Sequence, residues 1–247
     1  MKLTGNTILV TGGGSGIGQA LAWRFHDLGN TVIVAGRGEA RLQETIAGRE
    51  RMVALPLDVA DGASVEQAIA KLKRDFPELN VAILSAGVMT RQELGSGGTI
   101  ATAEEVLNIN LLGTMRMAEG LIPLLAGKPN ATLCTVSSGL AFTPLPGAPA
   151  YSASKAAIHS YSLSLRQRLK GQVQVIEIAP PGVQTGLTPG QETRPGYMPL
   201  DAYIDETMGN FEQQPEAYEN LVGNVLPLRW SERDGTTDAL LERLAQA

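Results

Sequence analysis

Cysteine, histidine and aromatic residues are all scarce in this chain of 247 residues, which holds one cysteine, two histidines and 4% Phe, Trp and Tyr. The single cysteine, Cys134, cannot close an internal disulfide, so no covalent framework holds the fold. It lies in the apolar run "ATLCTVSS" with nothing nearby to lower a thiol's pKa, and reads as a core residue, not a reactive one. His26 and His159 fall on helix-like stretches away from strand ends; they receive no role, and no metal-ligand set is read. Basic charge is not in excess either. Twenty Lys and Arg interspersed with 25 Asp and Glu leave a net charge of −5, which excludes a surface built for nucleic acid or an anionic membrane. No apolar run reaches membrane-spanning length, and "MKLTGNTILVTGG" lacks the apolar core of a signal peptide. A soluble protein of the cytoplasm is expected.

Glycine, by contrast, is abundant, and its densest cluster carries the first functional signal. Gly12, Gly13, Gly14, Gly16 and Gly18 crowd a short stretch between the β-branched run Thr7–Thr11 and a helical pattern running from Ile17 to about Leu28. Glycine loses more freedom on folding than any other residue, so such a cluster is kept where the chain needs unusual dihedrals or where something approaches the backbone closely. Strand, glycine turn and helix together aim backbone N–H groups and a helix dipole at one point, which suits an anion such as a pyrophosphate. The spacing is Gly12-x-x-x-Gly16-x-Gly18 instead of the common G-x-G-x-x-G, and taken alone it is also compatible with a flexible turn.

Apolar strand-like runs alternate with helical patterns along the whole chain. Strands are expected at Thr7–Thr11, Thr31–Ala35, Met52–Leu57, Val81–Ser85, Ala131–Ser137 and Val173–Ala179, and helices at about 17–28, 38–48, 62–76, 102–126 and 149–170. Nearly continuous Val, Ile and Leu strands between amphipathic helices describe an α/β domain with a doubly wound parallel sheet covered on both faces. No linker divides the 247 residues, so a single domain is expected. Ligands of such folds lie beyond the carboxyl ends of the strands. Each of the six expected strands is followed there by unusual residues: the glycine loop, Gly36-Arg37, Asp58, Ser85-Ala86-Gly87, Ser137-Ser138 and Pro180-Pro181-Gly182. Thr102 and Glu105 have capping-box spacing at the head of the fourth helix. Residues 182–227, rich in proline and glycine around one helical stretch near Leu200–Phe211, read as an irregular lid on the substrate side or as padding. The tail turns helical from about Thr237, and whether a seventh strand exists is left open.

Tyr151 and Lys155, four apart in "YSASKAAIHSYSLSL", lie on one helix face, a spacing that an ordinary helix surface also produces. Ser138, at the end of the fifth strand, would stand at the same crevice. A phenol titrates near about 10, and a neighbouring ammonium lowers that value, which makes tyrosine usable as an acid or base.

In this order, Thr11-Gly12-x-x-x-Gly16-x-Gly18, Asp58-Val59, Ala86-Gly87, Asn110, Ser138, Tyr151-x-x-x-Lys155 and Pro181-Gly182-x-x-Thr185 resemble the short-chain dehydrogenase/reductase family over most of the chain. The resemblance implies a Rossmann-type sheet, a nicotinamide cofactor and hydride transfer to or from a small-molecule carbonyl or alcohol. Tyr151 would then be the acid or base, Ser138 would polarise the substrate oxygen, and Lys155 would lower the tyrosine's pKa and hold the nicotinamide ribose. Asn110 would hold a water that links Lys155 to solvent; by itself it reads equally as a helix-kinking residue. Gly12, Gly14, Ser15, Gly16, Ile17 and Gly18 would cradle the phosphates. Asp58 and Val59 would flank the adenine, with Ala86 and Gly87 beside the cofactor, although Asp58 also suits a helix N-cap. Pro181, Gly182, Val183 and Thr185 would hold the carboxamide end.

The family's two amides after the fourth strand are replaced by Leu84 and Ser85, and a trailing C-terminal Gly-Gly is absent. Arg37, with no carboxylate before Glu39, favours NADP, with NAD as the alternative, although Ser15 adds no second positive charge. A homodimer or homotetramer through helices 102–126 and 149–170 is expected. The competing reading is a catalytically silent nucleotide-binding sensor or scaffold, which predicts loss from the Ser-Tyr-Lys set.

Overall fold

The computed structural model describes residues 1–93, 95 and 99–246. Six apolar runs form the strands β1 (Thr7–Thr11), β2 (Thr31–Gly36), β3 (Met52–Pro56), β4 (Leu79–Leu84), β5 (Thr132–Val136) and β6 (Gln174–Ile178), and a two-residue strand β7 (Glu219–Asn220) follows late in the chain. They pair into one parallel sheet in the order β3-β2-β1-β4-β5-β6-β7. The chain runs outward from β1 in one direction and then from β4 in the other, so the point where the order reverses lies between the carboxyl ends of β1 and β4.

Helices α1 (Gly16–Asp27), α2 (Glu39–Ile46) and α7 (Leu200–Gln213) cover one face; α3 (Gly62–Asp75), α5 (Gly113–Leu125) and α6 (Pro149–Arg168) cover the other. Successive strand residues serve the two cores in turn. Ile8, Val10, Val32 and Val34 pack with Leu21 and Phe25 of α1, Leu42 of α2 and Tyr203 and Phe211 of α7. Leu9 and Ile33 pack with Leu72 of α3, Leu121 of α5 and Leu165 of α6. Burying each large aliphatic side chain contributes about 1.5–3 kcal/mol, so both faces must be apolar and the strands show no polar alternation. The remaining helices are α4 (Thr99–Leu107), α8 (Leu226–Arg229) and α9 (Thr237–Ala245). No helix among the described residues is long and apolar enough to cross a membrane.

Three expectations change. The helix expected over 102–126 starts at Thr99, so Thr102 lies inside it; Ile100 and Ala101 carry no helix breaker, and the chain coils one turn before the capping-box spacing. That helix is also not uniform, because Asn108–Leu112 form a π-helical turn between α4 and α5. Within 182–227 the helix expected near Leu200–Phe211 is present as α7, but its buried side belongs to the core of the sheet. Helix α7 packs its Phe211 against Phe25 of α1, with ring centroids 6.2 Å apart, and β7 extends the sheet beyond β6. Residues 94, 96–98 and 247 lie outside the described residues.

Candidate active site

The loops after β1 to β6 converge on one cavity of about 570 Å³. Helix α1 points its amino end into it from the glycine loop. Gly12 has φ +68, and a Cβ there would lie 2.9 Å from Ala86 Cα, so the loop after β1 can meet the loop after β4 only with glycine at this position. Gly18 packs so closely that a Cβ would stand 2.6 Å from the Gly12 carbonyl oxygen. Ser15 precedes α1 in extended conformation without capping it through its side chain, so the first N–H groups of the helix are left to whatever fills the cavity. Gly12, Gly14, Ser15, Gly16, Ile17 and Gly18 all line it.

At one end of the cavity stand Arg37, in the turn after β2, and Arg41, in the first turn of α2. Arg41 is a residue that the sequence reading missed. Its signal is a second basic residue just inside the start of α2, three positions after the Gly38 cap; like Arg37 it lines the cavity and supplies the second cation that Ser15 does not. Asp58 and Val59 line the same region, and Asp58 is not a helix cap: it accepts from Ala60 N at 2.9 Å, while Asp61 caps α3 by accepting from Ala63 N at 2.9 Å.

Ala86 donates its N–H to Thr11 Oγ1 at 3.1 Å, a side-chain brace between the loops after β1 and β4 where Leu84 and Ser85 stand in place of amides. A Cβ on Gly87 would come within 3.2 Å of Asn110 Oδ1 and 3.6 Å of Lys155 Nζ, so glycine leaves room for both. Asn110 itself is fully buried in the π turn and does not line the cavity. Its Oδ1 accepts from Val88 N at 2.8 Å, and its Nδ2 donates to Val88 O at 2.9 Å and Ser154 Oγ at 3.1 Å. The side chain therefore braces the loop after β4 against α6. Pro181, Val183 and Thr185 line the cavity, whereas Gly182 faces away from it, under the ring of Tyr197.

Ser138, Tyr151 and Lys155 meet at the other end. Pro149 starts α6 with a ring already set at helical φ, and the helix then carries Tyr151 and Lys155 on one side. The Ser138 side chain lies close enough to the Tyr151 phenol to lower its pKa, and its Oγ accepts from Leu140 N at 3.1 Å. Lys155 donates from Nζ to the Val136 carbonyl at 2.9 Å, and that nitrogen lies 5.5 Å from the centre of the Tyr151 ring. Burial pushes Tyr151 up to about 12 against the opposing pull of the Ser138 side chain, and it brings Lys155 down to about 8. The sequence expectation was that the ammonium lowers the phenol. In the structure the direction is reversed, because desolvation dominates at both groups and the ammonium is turned to a backbone carbonyl. Cys134 is buried, and burial raises its thiol to about 12, in keeping with a core residue.

A Rossmann-type sheet with its cavity at the switch point thus defines the class of the protein. The profile of the short chain dehydrogenase family matches residues 6–195. The chain is 39% identical over 198 residues to the uncharacterized oxidoreductase DltE of Bacillus subtilis, covering 79% of each chain. Among solved structures it is similar to a Sphingobium yanoikuyae short-chain dehydrogenase in complex with NADPH, with a TM-score of 0.81 at 23% identity over 96% of this chain and 95% of that one. It is also similar to a Burkholderia phymatum short-chain dehydrogenase/reductase in complex with NAD, with a TM-score of 0.82 at 20% identity over 96% of both. The chain belongs to the short-chain dehydrogenase/reductase family of oxidoreductases.

Proposed function

We propose that the protein moves a hydride between NADP(H) and a small carbonyl or alcohol compound. The observation that carries this reading is the meeting of Ser138, Tyr151 and Lys155 in the cavity that also receives the amino end of α1. The site fits a dinucleotide: closely packed glycines leave space where phosphates would lie on free helix N–H groups, and two arginines stand at the far rim. When bound, the nicotinamide supplies or accepts the hydride. Every remaining step belongs to the chain. Ser138 donates a hydrogen bond to the substrate oxygen, and Tyr151 gives that oxygen its hydroxyl proton in reduction or takes one in oxidation. Lys155 is poised to hold the nicotinamide ribose and to stabilise the phenolate left behind. A water held near the Asn110 turn would return the proton from solvent.

Arg37 and Arg41 favour a 2′-phosphate over a bare hydroxyl, hence NADP over NAD. The NADPH and NAD complexes of the two structural relatives fit either choice, so the preference for NADP rests on the arginines alone. A silent sensor would lack part of the Ser-Tyr-Lys set, and all three are present. We also propose a cytoplasmic homodimer or homotetramer through the α4–α5 helix and α6, on which Leu112 and Leu163 are 44% and 47% exposed; sedimentation as a monomer would refute that.

Fluorescence titration with NADPH and NADH tests the cofactor, and absence of binding to both defeats the proposal. Turnover is read as NADPH oxidation with benzaldehyde, cyclohexanone and ethyl 3-oxobutanoate. Tyr151→Phe is expected to bind NADPH normally and lose at least about 100-fold in kcat; an active variant would contradict the assignment of the acid.

A further inference from the structure

Lys155 and Glu177 are the only charged side chains buried among the described residues. Lys155 has a part in the reaction proposed above; Glu177, next to the carboxyl end of β6 and 0% exposed, has none. A carboxylate inside a parallel sheet is costly unless it is held by donors, and an apolar residue there would serve the sheet at least as well. Its partners show what it joins. Glu177 Oε1 accepts from Ser137 Oγ at 2.5 Å, and Oε2 accepts from His159 Nδ1 at 2.7 Å. Ser137 immediately precedes Ser138. His159 lies on α6 one turn beyond Lys155 and two beyond Tyr151, on the same side of the helix.

One carboxylate thus ties the strand end that carries Ser138 to the helix that carries Tyr151. A second layer closes behind it. Glu219 of β7 stands opposite Glu177 in the register, 3.8 Å from His159 Nδ1, and is gripped by the Arg229 guanidinium at 3.1–3.3 Å. Arg229 stacks 4.5 Å from the ring of Phe142, in the turn after Ser138, and Phe142 meets the His159 ring edge-on at 4.9 Å. The ligand atoms of His159, Glu177 and Glu219 lie within 4.8 Å of one another, close enough to share a cation. Each carboxylate is already met by protein donors, so the cluster reads as a closed network.

We propose that Glu177, together with His159 and Ser137, is a positioning element for Ser138, keeping that hydroxyl beside the hydroxyl of Tyr151. This rests on the proposed roles of Ser138 and Tyr151. The test compares Glu177→Leu, Glu177→Gln and Ser137→Ala in the full chain with NADPH and whichever of the three carbonyl probes the wild type reduces fastest. Glu177→Leu and Ser137→Ala are expected to lower kcat by about 10- to 100-fold, the scale of an ångström-sized misplacement, with NADPH affinity changed by less than about twofold. Glu177→Gln still offers an acceptor to Ser137 and is expected to recover most of the loss. In a Ser138→Ala background Glu177→Leu should add almost nothing, because the group it positions is gone.

Additive losses in that background, or parallel losses in kcat and NADPH affinity, would overturn the proposal, since they indicate general loosening. Zinc bound stoichiometrically by the wild type and lost in Glu177→Gln would overturn it too. Crystal structures of Ser137→Ala and Glu177→Leu decide the point without turnover: a Ser138 hydroxyl displaced from Tyr151 supports the inference, and an unmoved one ends it. Should Glu177→Leu fail to fold, Ser137→Ala removes a single hydrogen bond and still decides. A wild type that reduces none of the probes would count against the proposed reaction, leaving the crystal structures to judge the network.

Discussion

Lys155 is held in the fold at an energetic cost. Its pKa falls from 10.5 to about 8 on folding, so below pH 8 the folded state carries a buried charge that the unfolded chain hydrates freely. Lys155→Met is therefore expected to be more stable than wild type by about 3 kcal/mol at pH 7, with the gap closing as pH rises from 8 to 10.5, while turnover is lost. Urea unfolding at several pH values checks both the sign and the window; a gap that does not shrink with pH would contradict it. Arg41→Ala should weaken NADPH binding by about 10- to 100-fold and leave NADH binding unchanged, as read by fluorescence titration. What was legible at this scale follows from geometry: a helix fixes the Tyr151–Lys155 pair, and a strand end fixes Ser138. Arg41 was missed because a basic residue in the first turn of a surface helix looks like any solvated side chain. Glu177 was missed because one acidic letter in "VQVIEIA" gives no sign of being buried.

Among the elements, the glycine loop is held as much by packing as by its dihedrals. Gly13 lies outside the Gly12, Gly16 and Gly18 pattern, yet a Cβ on it would stand 2.8 Å from Val34 Cβ and 3.0 Å from the Val10 carbonyl. Gly13→Ala is expected to cost about 1–3 kcal/mol and lower Tm by several degrees in calorimetry; an unchanged Tm would show that β2 yields freely there. The six main strands could be read from the sequence to within two residues at each end, because each is an apolar run bounded by turn residues. Strand β7 could not, since "EN" has no strand character and its pairing is imposed by the edge of β6. The amphipathic α7 was visible as a helix, but its burial against α1 was hidden by the prolines and glycines around it.

For the molecule as a whole, one parallel sheet covered on both faces brings the loops after β1 to β6 to one cavity, and this is why the order of a few residues in the sequence located the cavity before its walls were known. The turn at Asn108–Leu112 shows how narrowly that arrangement is set. A π turn holds one residue more than the regular coil, so everything downstream is rotated by about 100° relative to an uninterrupted helix. In that phase α4 lies against α6 while Met117 and Leu121 of α5 reach the sheet. Shortening the turn by one residue would give a smoother helix and a poorer protein. Its α5 stripe would point sideways, and circular dichroism should report normal helix content together with an early, broadened melt.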